Sequence, residues 1–268
     1  MLLAVDVGNT QTHLGVFRGD ELTNEWRMST NPARTADELA LISGQFLAHA
    51  DLSFSREITG VAMCSVVPQL TQELRQMTER YFGFPAVVVE PGTKTGIAIK
   101  IDNPREVGAD RIANAVAANH LYPNEPSIIV DFGTAITVDA VSAGGDYLGG
   151  AITPGIETAA GALYDATAQI RRVELIAPAH AIGKSTIQAV QSGIVYGNAS
   201  LVDGLVERVS KELGGHANVI ATGGQAPIVV KHCKLVDRIQ PELTLVGLRL
   251  IFERNFDERA AGAGTETG

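Results

Sequence analysis

The sequence predicts an α/β protein built twice on one plan, and three observations carry that expectation. The opening stretch "LAVDVGNTQT", residues 3–12, returns with small edits as "IIVDFGTAIT", residues 128–137. Aligned on Asp6 and Asp131, the copies also pair Gly8 with Gly133, Asn9 with Thr134, Thr12 with Thr137 and Val16 with Val141. Each copy then opens the same run of three strands followed by helices and further strands, which marks a duplicated domain rather than a chance match. Finally, 268 residues of which 45% are hydrophobic can fill two medium-sized cores, at about 130 residues per domain.

The elements follow in order. Strands are expected at 2–7, 12–17 and 21–28, separated by the turn signals GNT and RGD. In "TADELALISGQFLAHA", Thr35 can cap a helix and Glu38 can close a capping box. Residues 58–67 read as a buried strand, 68–81 as a helix and "AVVVE" as another strand. After the helix "ADRIANAVAANHLY" the pattern restarts, with strands at 127–131, 136–142 and 147–152 and a helix after Pro154. A long amphipathic stretch, 185–213, precedes the strand "NVIAT", and "ELTLVGLRLIFERNF" makes a final helix. The expected domains are 1–122 and 123–256; the tail 257–268, rich in Gly, Ala and Thr, lacks apolar periodicity and is expected to be disordered.

Charge and composition narrow the function. A net charge of −9 argues against nucleic-acid binding, which needs a basic face to displace counterions. An anionic ligand must therefore be held by a local arrangement. The N-terminus has no basic n-region and meets Asp6 early, unlike a signal peptide. No apolar run approaches the roughly 20 residues that span a bilayer, so a soluble, cytoplasmic protein is expected. Cys64 and Cys233 have no CxxC spacing and read as small buried hydrophobes, and the six histidines show no metal-ligand spacing.

A carboxylate at the end of a buried strand is costly unless it is paired, solvated at a cleft or near a cation. A glycine two residues later lets the backbone turn tightly. The amides and hydroxyls of Gly8, Asn9, Thr10, Gln11 and Thr12 can then bond phosphate oxygens. One such D-x-G segment does no more than close a β-hairpin in many proteins. Two at equivalent points of a duplicated domain would set Asp6 and Asp131 facing each other across an interdomain cleft, around Mg²⁺ or another hard cation and a polyphosphate. The "GKST" at 183–186 is no P-loop, since the preceding residues lack its glycine spacing.

In "GADRIANAVAA", Gly108 permits a close approach before a helix whose first turn holds Asp110 and Arg111, beside the positive end of its dipole. The pair reads equally as a helix cap and a surface charge. Against a phosphate cleft, Asp110 is a candidate general base for a hydroxyl, and Arg111 a candidate clamp for a carboxylate. "GGAITPG" supplies two glycines for close backbone approach and places Pro154 at an expected helix start, or is a plain strand-to-helix turn. "ATGG" gives a glycine pair suited to an adenine or ribose, or a tight turn.

Taken in order, "DVGNT", "SVVP", "DNPREVGADRIAN", "DFGTA", "LGGAITPG", "GKSTIQAVQSG" and "ATGG" resemble the type III pantothenate kinases along nearly the whole chain. That family sits in the superfamily of acetate and sugar kinases, heat-shock ATPases and actin. The resemblance implies duplicated actin-like ATPase (ribonuclease H-like) domains with mixed five-stranded sheets flanked by helices. It implies transfer of the ATP γ-phosphoryl group to pantothenate, the entry step to coenzyme A. Asp110 is implied as proton acceptor, with Gly108, Ala109 and Arg111 lining the pantothenate pocket. ATP would meet Asp6, Val7, Gly8, Asn9, Thr10, Gln11, Thr12, His13 and Thr134, with Asp6 also a candidate for Mg²⁺. Asp131 would hold a monovalent cation, potassium or ammonium. A homodimer is implied, with Thr186 reaching the substrate from the partner subunit; by itself Thr186 is a first-turn helix residue. Where the family commonly has a tyrosine before "DNP", lining the pocket, this chain has Ile101. Two alternatives are a kinase of the same fold acting on another hydroxyl substrate and a non-catalytic regulatory member. Because Asn9 and Thr10 become Thr134 and Ala135, the first turn is expected to grip phosphates more extensively than the second.

Overall fold

A computed structural model describes residues 1–167 and 170–262, with the side chains of the last helix described as far as Phe256. Sheet 1 holds β1 (Leu2–Val7), β2 (Gln11–Arg18), β3 (Glu21–Ser29), β4 (Gly60–Ser65) and β5 (Val87–Val88) in the order β3-β2-β1-β4-β5. Sheet 2 holds β6 (Ser127–Phe132), β7 (Ala135–Val141), β8 (Tyr147–Pro154), β9 (Asn218–Thr222) and β10 (Arg238–Ile239) in the matching order β8-β7-β6-β9-β10. In both, the central strand runs antiparallel to the next in sequence and parallel to the one on its other side. The duplication is therefore a duplication of topology as well as of motif.

Local chemistry explains the elements. Helix α1 (Ala36–His49) starts on the expected capping box: the Thr35 hydroxyl accepts from the Glu38 amide at 3.3 Å, and the Glu38 carboxylate accepts from the Thr35 amide at 2.9 Å. The helix expected over 68–81 divides into α2 (Pro68–Met77) and a π-helical turn over Thr78–Phe82. There the Thr78 hydroxyl donates to the Arg75 carbonyl at 2.8 Å, the kind of side-chain competition that perturbs a helical ladder. Helices α3 (Ala109–Leu121), α4 (Ile156–Ala166), α5 (Thr186–Glu212), α6 (Ala226–Val229) and α7 (Leu243–Gly262) complete the chain. Pro154 ends β8 and Gly155 is the N-cap of α4, so the proline closes a strand rather than opening the helix. No helix among the described residues is long and apolar enough to cross a membrane.

The chain divides into two compact units, and the division corrects the expected boundaries at 122 and 123. Among the described residues, one unit comprises 1–97, 103–117 and 243–262; the other comprises 98–102, 118–167 and 170–242. The final helix returns to sheet 1 because glycines leave it room. On the sheet, a Cβ on Gly15 would lie 2.7 Å from Leu245 Cδ1 and one on Gly60 2.2 Å from Phe252 Cζ; on α7 itself, one on Gly247 would lie 2.0 Å from the Ala113 carbonyl of α3. Leu243, Leu245, Leu248 and Ile251 are buried completely as a result. Residues 98–102 join the second unit through the edge of β8, where Tyr147 donates to the Ala98 carbonyl and accepts from the Lys100 amide, both at 2.8 Å. Of the tail expected to be disordered, 257–262 continue α7, and 263–268 lie outside the described residues.

The register also corrects the alignment of the two repeats. Asp6 lies opposite His13 and Val7 opposite Thr12, whereas Asp131 lies opposite Thr137 and Phe132 opposite Ile136. The first turn has three residues, Gly8 to Thr10, and the second only Gly133 and Thr134. Beyond the turn, His13 is thus the counterpart of Thr137, and Thr12 of Ile136. Pairing Thr12 with Thr137 misses this one-residue deletion.

Candidate active site

In the first unit, the β1–β2 turn closes on itself through the Gly8 amide, which donates to the Gln11 carbonyl at 3.0 Å. Thr30, just past β3, latches it. Its hydroxyl donates to the Gly8 carbonyl at 2.8 Å and its amide to the Thr10 carbonyl at 2.9 Å. With that proton committed, the Thr12 hydroxyl must be the donor in its 2.9 Å contact with Thr30 Oγ1. Asn9, Thr10 and Gln11 are exposed, while Val7, Thr12 and His13 are buried. Of the eight expected ATP-binding residues in this segment, three thus present groups to solvent, three are buried behind them, and Asp6 and Gly8 are half-buried. Thr30 escaped sequence reading because it lies 22 residues from the glycine it holds.

His13, on the strand opposite Asp6, bonds Glu25 Oε2 through Nε2 at 2.7 Å. Burial first, and the Arg27 charge second, hold its pKa below the ordinary 6.5, against the pull of Glu25. The neutral ring must then carry its proton on Nε2 to meet the carboxylate.

Two of the expected acidic residues converge on an unexpected one. Cys64 on β4 lies directly opposite Asp6 in the parallel register, is buried completely, and donates its thiol to Asp6 Oδ1 at 3.2 Å. Burial above all, then the charges of Asp6 and Asp110, push the thiol well above its ordinary range. The reading of Cys64 as a buried residue holds, but its surroundings are carboxylates as well as apolar side chains. Asp110 stands in the first turn of α3, where its Oδ1 accepts from the Arg111 amide at 2.8 Å. Gly108 has a steric reason: a Cβ there would lie 2.5 Å from Asp110 Oδ1. Ala109 and Arg111 are half-buried alongside. Deeper in the helix, buried Asn114 accepts from the Thr244 hydroxyl of α7 at 2.8 Å, so the helix carrying Asp110 is tied to the C-terminal one.

In the second unit, the turn after Asp131 closes through the Gly133 amide and the Ala135 carbonyl at 3.0 Å. Thr134 is exposed, and its carbonyl accepts from the Gly155 amide at 3.0 Å and the Thr158 hydroxyl at 2.7 Å. A Cβ on Gly155 would lie 2.2 Å from the Gly133 carbonyl, so "TPG" seats α4 on the turn. The other glycines of "GGAITPG" serve the sheet: Gly149 has φ +105°, and a Cβ on Gly150 would lie 2.0 Å from the Val138 carbonyl. In "ATGG", Gly223 has φ +90° and a Cβ there would lie 2.5 Å from Asp131 Oδ1. That glycine lets Asp131 Oδ1 lie close against the backbone beside the Phe132 carbonyl, and oxygen donors of this kind are what hard cations take. Among the described residues, no three His, Cys, Asp or Glu side chains gather into a metal cluster. Mg²⁺ is commonly bound by one or two carboxylates plus phosphate oxygens, and Asp6 fits that mode.

The remaining expected residues fall in the second unit. Ile101 is half-buried in the segment along β8, close to Gly149. Thr186 is exposed as the first residue of α5, whose N-cap Ser185 accepts from the Gln188 amide at 3.3 Å. It borders an apolar cavity of about 290 Å³ lined by α4 and α5. Asp139 was missed: it is fully buried, and accepts from the Tyr147 hydroxyl at 2.7 Å and the Thr137 hydroxyl at 3.0 Å. The signal that marked Asp6 and Asp131, an acid in an apolar strand, is present in "ITVDAV" too.

A family model described as Type III pantothenate kinase matches residues 2–208. A type III pantothenate kinase of Frankia alni is 55% identical over 256 residues, covering 95% of this chain and 100% of the relative. One from Streptomyces griseus is 54% identical over 262 residues, covering 95% and 98%. Among solved structures, MreB 5 of Spiroplasma citri bound to AMPPNP matches with a TM-score of 0.57 over 98% of both chains at 10% identity, a likeness of fold alone. The fold is that of the actin-like ATPases.

Proposed function

The chain belongs to the type III pantothenate kinase family, and from that premise we propose how its residues divide the work. The reaction is ATP-dependent phosphorylation of pantothenate to 4′-phosphopantothenate, in coenzyme A biosynthesis. What carries this reading is identity above half of all positions across nearly the full chain.

Asp110 takes the proton of the pantothenate primary hydroxyl as its oxygen attacks the γ-phosphorus. The bond to the β–γ bridging oxygen breaks and ADP leaves with the electron pair. Support for this role comes from Gly108, which spares space at the carboxylate, and from the α3 N-terminus, which steadies its charge. Arg111 binds the pantothenate carboxylate, with Ala109 and Ile101 shaping the pocket. Asn9, Thr10 and Gln11 hold ATP phosphates on the first turn, while Thr134 adds a contact from the second. Asp6 would hold Mg²⁺ and Asp131 potassium or ammonium; these cations supply neutralisation of phosphate charge. A homodimer with Thr186 of the partner subunit at the substrate, working in the cytoplasm, completes the proposal.

An ADP-release assay with pantothenate, with and without potassium or ammonium, tests it. Turnover with pantothenate and stimulation by either cation are expected. Turnover with a sugar but not with pantothenate would overturn the substrate; cation-independent turnover would overturn the role of Asp131.

A further inference from the structure

Cys64 has a polar partner that its burial does not require. A completely buried cysteine ordinarily behaves as a small hydrophobe; Cys233, expected to be buried, is only half-buried, and its thiol donates to the Val229 and Ala199 carbonyls at long range, 3.7 and 4.0 Å. Cys64 instead sits on the strand parallel to β1, at the position facing Asp6, with Sγ 3.2 Å from Oδ1. A cysteine of ordinary pKa is a thiol at neutral pH, so it meets the carboxylate as an S–H donor.

We infer that Cys64 is a positioning residue for Asp6: its thiol holds the carboxylate in one orientation, presetting the group that meets Mg²⁺ and the ATP phosphates. The inference rests on the role proposed for Asp6. The chemistry of the donor suits that task. A thiol is a weak, uncharged donor that orients a carboxylate without cancelling its charge. The backbone makes the pairing rigid, since Asp6 and Cys64 face each other within a register of six consecutive pairs from Leu2 with Gly60 to Val7 with Ser65.

The test compares Cys64→Ala, Cys64→Ser and Asp6→Asn by steady-state kinetics and by calorimetric binding of AMPPNP with Mg²⁺. Cys64→Ala is expected to raise the KM for ATP and the Kd for AMPPNP about five-fold, with kcat and the KM for pantothenate changed less than two-fold. Cys64→Ser, which restores a donor, should return both to within two-fold of the parent. Equal losses in Cys64→Ala and Cys64→Ser would show packing alone and overturn the inference. So would parental nucleotide binding in Cys64→Ala beside a strong loss in Asp6→Asn. Unchanged AMPPNP binding in Asp6→Asn would overturn the reading of Asp6 and the inference with it. A second readout leaves position 64 intact: in a Cys233→Ser background the S–H stretching band belongs to Cys64 alone. It should shift when Asp6→Asn is added; an unmoved band refutes the bond.

Discussion

The two Asp-Gly turns occupy the same place in the same sheet topology, yet they are held by different parts of the chain. The first is latched by Thr30, at the end of its own three-stranded meander, through the Gly8 and Thr10 carbonyls. The second is latched by Gly155 and Thr158, at the start of a helix, through the Thr134 carbonyl. The first is one residue longer and exposes Asn9, Thr10 and Gln11; the second is backed by Gly223 against Asp131. A duplicated scaffold thus keeps the acid and the glycine and lets anchoring and loop length diverge. The proposed division, phosphates on one copy and a cation on the other, rests on that divergence.

The acids give the widest separation between the copies. The first unit holds both Asp6 and Asp110, whereas the counterpart of Asp6 in the second is Asp131. Asp110→Asn should lower kcat by about a hundredfold or more, within the range for general-base removal, with AMPPNP binding retained by calorimetry. Near-normal turnover at saturating ATP would remove the base assignment. Asp131→Asn should instead flatten the dependence of thermal stability on potassium concentration. A curve matching the parent's would place the cation elsewhere.

Two glycines sharpen the same contrast, because each reserves space beside a proposed site carboxylate. Gly108→Ala pushes a methyl toward Asp110, and kcat should fall about tenfold, the effect of a small misplacement of a catalytic group, with little change in Tm. Gly223→Ala adds a second penalty, since φ +90° strains any side chain, and should cost about 1–3 kcal/mol of stability by denaturant unfolding as well as weakening the potassium response. If Gly108→Ala lost stability and kept kcat, the space it guards would be structural.

What the sequence revealed, and what it concealed, follows the range of the interactions. Strands β1, β2, β6 and β7, the Thr35–Glu38 capping box and the start of α3 at Asp110 were legible, because each is written in consecutive residues. The seat of α7 on sheet 1 was not. It depends on Gly15 and Gly60 meeting Leu245 and Phe252, more than 190 residues away in the chain. Thr30 and Cys64 were hidden for the same reason: strand register, not spacing, brings them to Gly8 and Asp6. The one-residue deletion in the second turn was masked by the coincidence of threonines at 12 and 137, which an ungapped alignment rewards.

Removing the latches should act more gently and on one side. Thr30→Val deletes the hydroxyl that holds the Gly8 carbonyl and should raise the KM for ATP about five-fold, from roughly 1 kcal/mol of lost hydrogen bonding. Thr158→Val deletes the corresponding bond to the Thr134 carbonyl and should change the KM for ATP less than two-fold. Equal effects would mean that both turns grip the nucleotide alike.

The smallest expected effect is one of pH, and it belongs to the first turn alone. The strand residue facing Asp6 is His13, whereas the one facing Asp131 is Thr137, which does not titrate in this range. Burial and Arg27 lower the folded-state pKa of His13 below 6.5, so near and below pH 6.5 the unfolded chain binds more protons there. Stability from the neutral ring is therefore fully present above pH 6.5 and is lost as pH falls through that value toward the folded pKa. Glu25 opposes the shift and keeps the loss small. The parent protein should lose more Tm than His13→Gln between pH 7 and pH 5.5, and the difference should vanish above pH 7. Parallel curves for the two proteins would mean that folding leaves the His13 pKa where it is in the unfolded chain, so that burial and Arg27 do not outweigh Glu25 and the first turn has no pH response of its own.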